Sequence, residues 1–405
     1  MGLCVENIFI FNRSFNCNSQ KQPKISFVLH AAFFLRCRAE ISLGKLYLTY
    51  LKFINMEKLS LKGHLFYAIL FCISISPKPA LSQIMFDDPT RHSSFTWKEK
   101  EKKEDIIAII TKNKLFLGRV NDKKASWNEV KDNVSSFQLT RIRVGAGSQN
   151  ELFGRDRFFW SKLFDAYSSY QFERTRIGVL SENKLFVKEG KIDELWLQVH
   201  HNVSSFQLHG DRIGVLTKDG ILTVKEGNLK SLWVDQHHGV KSFQLEGDRI
   251  GVLLNDGKFK VKQGGLTGLW VDEHDDVKSF QLEGDRIGVL LNNSELKVKE
   301  GALNKLWVPE HPNVKSFQLE EERIGVLLND GKFKVKQGAL DKLWVDLHDN
   351  VELFQLEKDW IGITHQGGNL RTKDGSLTAM WTNQHAEVTS FQLRKDVRVV
   401  VFEKK

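Results

Sequence analysis

All four cysteines, Cys4, Cys17, Cys37 and Cys72, lie before residue 83, and the remaining 323 residues contain none. That long stretch can form no disulfide, thiolate nucleophile or thiolate metal site. It also lacks a GxSxG elbow, an HExxH pair and a GxxxxGK(S/T) phosphate loop, so the commonest local signatures of enzymes are missing. Gly-rich pieces such as Gln366-Gly367-Gly368 read as hairpin corners. The apolar run Leu65–Ile75 has eleven residues, well short of the roughly 20 that a spanning helix needs. No segment shows the spacing of an amphipathic helix. These absences predict a protein that is not an enzyme, holds no cofactor or metal, and does not insert stably in a membrane.

Charge of one sign is scarce too, once its position is considered. The formal net charge is +9, but residues 1–82 carry ten Lys and Arg against Glu6, Glu40 and Glu57. The rest of the chain has 49 basic and 47 acidic side chains, a surplus of two. A nucleic-acid groove needs uncompensated positive charge, so no nucleic-acid partner is expected.

The start of the chain reads as two pieces. From Met56, a basic flank (Lys58, Lys62) precedes the apolar run, and Ala80-Leu81-Ser82 supplies the small residues of a cleavage site. Residues 56–82 are therefore expected to be a signal peptide, and the protein to be secreted. Residues 1–55 show no repeat or periodicity and are expected to be a non-native or mispredicted leader. Residues 83–104, which include the mixed-charge run Lys98–Glu104, are expected to form a polar, solvated arm. Asn133-Val134-Ser135, Asn202-Val203-Ser204 and Asn292-Asn293-Ser294 are glycosylation acceptors on such a route, although triplets of this kind also arise by chance.

What fills the rest is one unit, copied. Phe206, Phe243, Phe280, Phe317, Phe354 and Phe391 open FQL triplets 37 residues apart. A tryptophan marks one slot at Trp127, Trp160, Trp196, Trp233, Trp270, Trp307, Trp344 and Trp381, which makes eight copies. The first two are worn. Val240–Leu254 is identical to Val277–Leu291, and Val252–Gly264 to Val326–Gly338. Exposed-looking lysines are copied along with the rest, so recent duplication explains the sameness without any selection for a site.

Within one copy every piece reads as strand. Lys258–Lys262 alternates as a half-buried strand does. Arg249–Leu254 is a short apolar run with a glycine where side chains would crowd, and Asp256-Gly257 between the two is a hairpin turn. Ser242–Leu245 and Leu269–Val271 complete four strands, with turns at Gly247-Asp248 and Gln263–Gly265. Four short strands per 37 residues predict an all-β, single-ring β-propeller over residues 105–405, with eight or seven blades. Stacking blades in a ring covers both faces of each small sheet. The first copy lacks a clean FQL strand, since Phe95-Thr96-Trp97 matches poorly. The surplus strands Phe391–Leu393 and Val397–Phe402 are expected to close the ring in that first blade.

The order RIGVLLNDGKFKVKQG, a glycine-spaced gap, LW, then VKSFQL resembles the tectonin or tachylectin-like propeller repeat over about residues 105–405. The likeness is one of layout and a few positions. The FQL and GDRIGVL blocks are not diagnostic of that family. The resemblance implies a ring that binds glycans or bacterial surface polysaccharide.

A histidine follows six of these tryptophans by four positions, at His200, His237, His274, His311, His348 and His385. Asp235, Asp272, Asp346 and Asn383 stand two after the tryptophan, with Pro309 the exception. In antiparallel blades this corner and the hairpins at Asp219-Gly220, Asp256-Gly257 and Asp330-Gly331 fall on one face of the ring. Imidazole, carboxylate and amide groups there can hydrogen-bond sugar hydroxyls. The candidate ligand residues are Asp235, His237, Asp256, Asp272, His274, His311, Asp330, Asp346, His348 and His385. A copied loop histidine is more often simply a turn or strand-cap residue. The tryptophans are expected to fill space between blades. The recurring Arg176, Arg212, Arg249, Arg286 and Arg323 are expected to make local ion pairs, and Lys258, Lys260 and Lys262 to line a solvated strand face. The expected partner is a glycan or a bacterial or cell-surface polysaccharide, with a protein as the alternative. Polar pockets repeating blade by blade would favour the glycan, and an exposed apolar face the protein. An enzyme would show one pocket that breaks the symmetry, near residues 140–175 or at Trp360 and His365.

Overall fold

The computed structural model describes residues 97–121, 124–156 and 159–404. The expected leader (1–55), the signal peptide (56–82) and the first part of the arm lie outside them. The described residues hold thirty-two strands, β1 to β32, in eight antiparallel sheets of four, and no helix. This is an eight-bladed β-propeller.

One middle blade shows how the sequence builds the rest. β16 (Val240–Glu246) lies innermost, followed outward by β17 (Arg249–Leu254), β18 (Phe259–Gln263) and β19 (Val271–His274). Gly257 at φ +84° gives the β17–β18 hairpin the left-handed residue that its tight turn requires. The fourth strand begins at Val271 and runs to His274, so Leu269 and Trp270 belong to the turn before it and not to a strand. The reason is the tryptophan's other commitment. Its indole Nε1 donates to the Gln236 carbonyl of the preceding blade at 3.0 Å, which holds the turn outside the ladder.

The first blade joins β1 (Trp97–Thr111), β2 (Lys114–Asn121) and β3 (Lys124–Lys131) to the C-terminal β32 (Ser390–Lys404). β32 takes the innermost place and pairs Ile109 with Phe391 and Trp97 with Lys404. The surplus C-terminal strands thus close the ring as one long strand, bulged near Glu104. The charged run before Asp105 has exposed side chains from Glu99 to Lys103, while its backbone is paired along β32.

Adjacent blades meet through three repeated contacts. From Phe206 to Phe391, the phenylalanine of FQL lies on the glycine of the preceding blade's second strand: a Cβ on Gly251 would come within 2.7 Å of the Phe280 ring. The glutamine of FQL bridges forward. Gln244 Nε2 donates to the Leu282 carbonyl at 2.8 Å, and its Oε1 accepts from Leu282 N at 2.8 Å. The same double bond joins Gln138 to Phe172, Gln171 to Leu208, Gln207 to Leu245, Gln281 to Leu319, Gln318 to Leu356 and Gln355 to Leu393. Gln392 of β32 accepts from Leu139 N at 2.7 Å and completes the circle. The arginines are buried and reach forward as well. Arg249 Nη2 donates to the Gly301 carbonyl at 2.7 Å, and Arg286 Nη2 to Gly338 at 2.7 Å. Where they pair with acids, these are Glu189, Glu226 and Glu300 on the adjacent strand, not the neighbours in sequence.

Changing Gln244 to Ala removes both partners of the Leu282 amide and is expected to cost about 2 kcal/mol, read from urea unfolding. Glu320, which follows FQL in its blade, accepts from Lys358 N at 3.0 Å. Burial, with Glu283 and Glu357 adding to it, pushes its carboxyl up to about 7 from 4.5. The native state thus holds this proton more tightly than the unfolded chain. Its stabilisation is complete below 4.5 and is lost as pH rises through 7. Glu320→Gln is expected to raise the melting temperature at pH 8 and leave it unchanged at pH 4; an equal change at both would reject burial as the cause.

Candidate functional site

The hairpin and the histidine corner share a face, and backbone bonds tie them together. Val277 N, on the link leaving β19, donates to the Gly257 carbonyl of the hairpin at 2.9 Å. Asn255 N donates to Gly239 on the link entering the blade at 3.0 Å. Each hairpin is therefore held between two links. Val314 to Ser294, Val351 to Gly331 and Val388 to Gly368 repeat the first bond.

Each histidine is the last residue of its fourth strand, and one ring nitrogen is already committed. Nδ1 of His237 lies 2.7 Å from the His238 carbonyl, that of His274 2.6 Å from Asp275, and that of His311 2.6 Å from Pro312. His385 makes the same bond to Ala386 at 2.6 Å. The ring then meets the tryptophan of the following blade edge-on: His237 on Trp270 at 5.5 Å, His274 on Trp307 at 5.7 Å, His311 on Trp344 at 5.6 Å. His385 meets Trp127 at 5.2 Å across the ring closure. The imidazoles and indoles thus act first as packing between blades, leaving Nε2 as the histidine atom for a ligand.

The acids divide into two kinds. Asp256 and Asp330 cap their own hairpins, accepting from Lys258 N and Lys332 N at 3.1 Å each. That backbone bond holds the Asp330 carboxyl below its usual range. Asp272 and Asp346 are exposed and pair with Lys260 and Lys334 on the neighbouring strand, at 2.7 and 2.8 Å. Asp235 is exposed opposite Thr223. What the fold brings together at one junction is a histidine Nε2, a cation on the next blade's third strand, and a half-buried indole. Lys297 Nζ stands 3.4 Å from His274 Nε2.

One lysine of KFKVK is a correction. Lys258 is exposed and Lys260 half-buried, but Lys262 is buried, with Nζ donating to the Leu266 carbonyl at 2.6 Å and lying 5.0 Å from the Trp270 ring centre. Lys188, Lys225, Lys299, Lys336 and Lys373 repeat the arrangement. A lysine stem covers apolar surface while its tip finds a carbonyl and an aromatic face. Burial pushes Lys225 down to about 8, with the Arg176 guanidinium adding to the effect. Lys299 and Lys336 meet Glu273 and Glu310 of the preceding blade in buried ion pairs.

Sequence reasoning missed one feature and saw a second only in part. The residue before seven of the eight repeat tryptophans is an exposed apolar side chain: Phe159, Leu195, Leu232, Leu269, Leu306, Leu343 and Met380, with Leu269 at 88% exposure. They ride on the turns between third and fourth strands, on the face opposite the histidines. The LW pairing was visible; its exposure was not, because Leu269 was read as strand. The second is a solvent-open cavity of about 500 Å³ where His348, His365 and Arg371 converge; the sequence marked His365 as a place where one pocket would break the symmetry, but not the part of Arg371 in it. Among the described residues, no group of three or more His, Cys, Asp or Glu is placed to hold a metal ion.

No protein-family model matches the chain, and no curated relative does. The tectonin or tachylectin resemblance accordingly rests on repeat layout alone. Among solved structures, the chain is similar to the computationally designed Ika8 protein, at 16% identity over 67% of this chain and 96% of that one, with a TM-score of 0.51. It is also similar to apo AztD from Citrobacter koseri, at 10% identity over 76% and 99%, with a TM-score of 0.50. Hsv2p of Kluyveromyces lactis aligns at 12% identity over 64% and 98%, with a TM-score of 0.46. At such identities the likeness is one of fold.

Trp270→Ala is expected to cost about 3 kcal/mol, since it opens a cavity between two blades. His274→Ala, at a half-exposed strand end, is expected to cost under about 1 kcal/mol. Paired thermal melts of the two variants measure the difference.

Proposed function

We propose that this propeller is a secreted, non-enzymatic binding module whose hairpin face recognises glycans or microbial surface polysaccharide. A ring of eight blades supports a binding or interaction scaffold. The glycan reading is carried by one observation: a histidine Nε2, a lysine or arginine and a half-buried indole recur at successive junctions, with exposed aspartates at hand. Such groups offer donors and acceptors to sugar hydroxyls. Each contact is small, and repetition around the ring makes binding multivalent, because a second site on the same ligand is engaged at high effective concentration. The signal peptide read at residues 56–82 supports a location where such polymers are met.

A second reading has its own observation. The exposed apolar residues of the opposite face present one large side chain per blade in seven of the eight blades, and a protein partner would bury them. The two readings use different faces, so they separate cleanly. On a glycan array, the protein is expected to bind, and joint substitution of His274, His311 and His348 by Ala to abolish the signal. Leu269, Leu306 and Leu343 changed together to Glu should leave that signal intact. An empty array with a protein complex lost in the leucine variant reverses the ranking.

A further inference from the structure

In a ring of near-copies, a departure from the repeat is a signal. The junction between the seventh and eighth blades departs at four positions. His348 ends β27 (Val345–His348), as a histidine does elsewhere. In β29 (Trp360–His365), however, the last residue is His365, where the three preceding blades have Leu254, Leu291 and Leu328. In β30 (Leu370–Asp374), Arg371 replaces Lys260, Lys297 and Lys334. The hairpin aspartate of Asp256 and Asp330 is Gly367, and the strand aspartate of Asp272 and Asp346 is Asn383.

The last two changes strip this blade of carboxylates beside its cation. Lys260 and Lys334 are each neutralised by an aspartate opposite them; Arg371 has Asn383 in that register position. Its Nη1 turns instead to His348 Nε2 at 3.1 Å. A guanidinium only donates, so Nε2 accepts and the His348 proton sits on Nδ1. His348 Nδ1 in turn lies 3.1 Å from His365 Nε2 and 3.0 Å from the Asp349 carbonyl. Arg371 Nε is buried and has no acceptor. Burial, then His348, then Arg371 hold the His365 imidazole below its usual pKa, with the backbone bond to Asn369 opposing. Asp349 is the one acid at the rim, exposed, with its backbone already engaged by His348. These groups converge on the cavity of about 500 Å³, where Asn350 and Asn369 add amides and Trp381 an aromatic wall. That volume suits a monosaccharide unit.

We propose that this junction is an oxyanion subsite that takes the carboxylate or sulfate of an acidic sugar, with the Arg371 guanidinium as its donor and the Asn350 and Asn369 amides beside it. Arginine matches a carboxylate or sulfate with two parallel bonds, which the ammonium of the other blades does not. An entering oxyanion supplies the acceptor that Arg371 Nε lacks and draws Arg371 away from His348. The sugar part rests on the glycan reading above; the oxyanion part stands without it.

The test is calorimetric titration of the full chain, at constant ionic strength, with D-glucuronate, methyl glucoside and sodium sulfate. Glucuronate is expected to bind at one site per chain, at least about tenfold more tightly than methyl glucoside. The double variant His365→Leu, Arg371→Lys restores the residues that neighbouring blades already carry, so it should keep its melting temperature. It is expected to weaken glucuronate by about tenfold or more. Equal binding of sulfate and glucuronate, both lost in the variant, would keep the oxyanion site and overturn the acidic sugar. No saturable binding of either anion, or binding unchanged in a folded double variant, would overturn the proposal even if the array shows neutral glycans bound elsewhere.

Discussion

The ring stands on the glutamine of FQL. A strand next to the central axis has one edge paired within its own blade and one edge that would otherwise face open space. The glutamine carboxamide, a donor and an acceptor in one plane, satisfies the backbone of the next inner strand at that edge, in the geometry of a peptide group. Eight of these bridges, from Gln138 round to Gln392, replace sheet pairing between blades that diverge too steeply to pair. Everything farther out depends on the spacing they set. The phenylalanine reaches the facing glycine, the arginine reaches the next blade's turn, and at the rim the indole reaches the neighbour's last strand. Polar bonds thus fix the angle between blades, and apolar packing fills the wedge that results.

Much of this was legible in the sequence. The Asp-Gly hairpins, the crowded glycine of RIGVLL, the wedge role of tryptophan and the closure by C-terminal strands all follow from local chemistry repeated at one period. The lysine of the third strand was not. Alternation in KFKVK suggests one dry and one wet face, which holds for a sheet with solvent on one side. A propeller blade is covered on both faces, so the polar set of that strand faces a neighbouring blade. Lys262 can live there only because Leu266 and Trp270 of its own turn receive it. The fourth strand was misplaced for a related reason: the bond that sets Trp270 runs to another blade, and no local signal reports it.

The hairpin face shows how copying both conceals and reveals. At two junctions lysine and aspartate hold one another, and the histidines are held by the backbone, so repetition there describes construction as much as recognition. Information lies in the exceptions. His365 and Arg371 fill positions whose usual occupants are known from three neighbouring blades, and this makes their environment readable by difference within one molecule. The eighth blade also exchanges the repeated arginine for Trp360, fully buried, with Lys395 of β32 lying over it. The ring is thus least regular where its two ends meet.

That meeting has a consequence for how the chain reaches its fold. The innermost strand of the first blade comes from the far end of the array, with Trp97 opposite Lys404. Until it arrives, β1 presents a long unpaired edge and the glutamine circle has a gap at Gln392. Blades two to eight can assemble in sequence by contacts between neighbours, but the final clasp joins segments separated by nearly the whole array, a slow, entropically expensive step. Near-identical inner strands offer themselves for that vacancy in the meantime, from this chain or another. The bulge near Glu104 and the charged run of β1 give this strand pair a length and register that the middle blades do not share, and so act as the address label for the correct end.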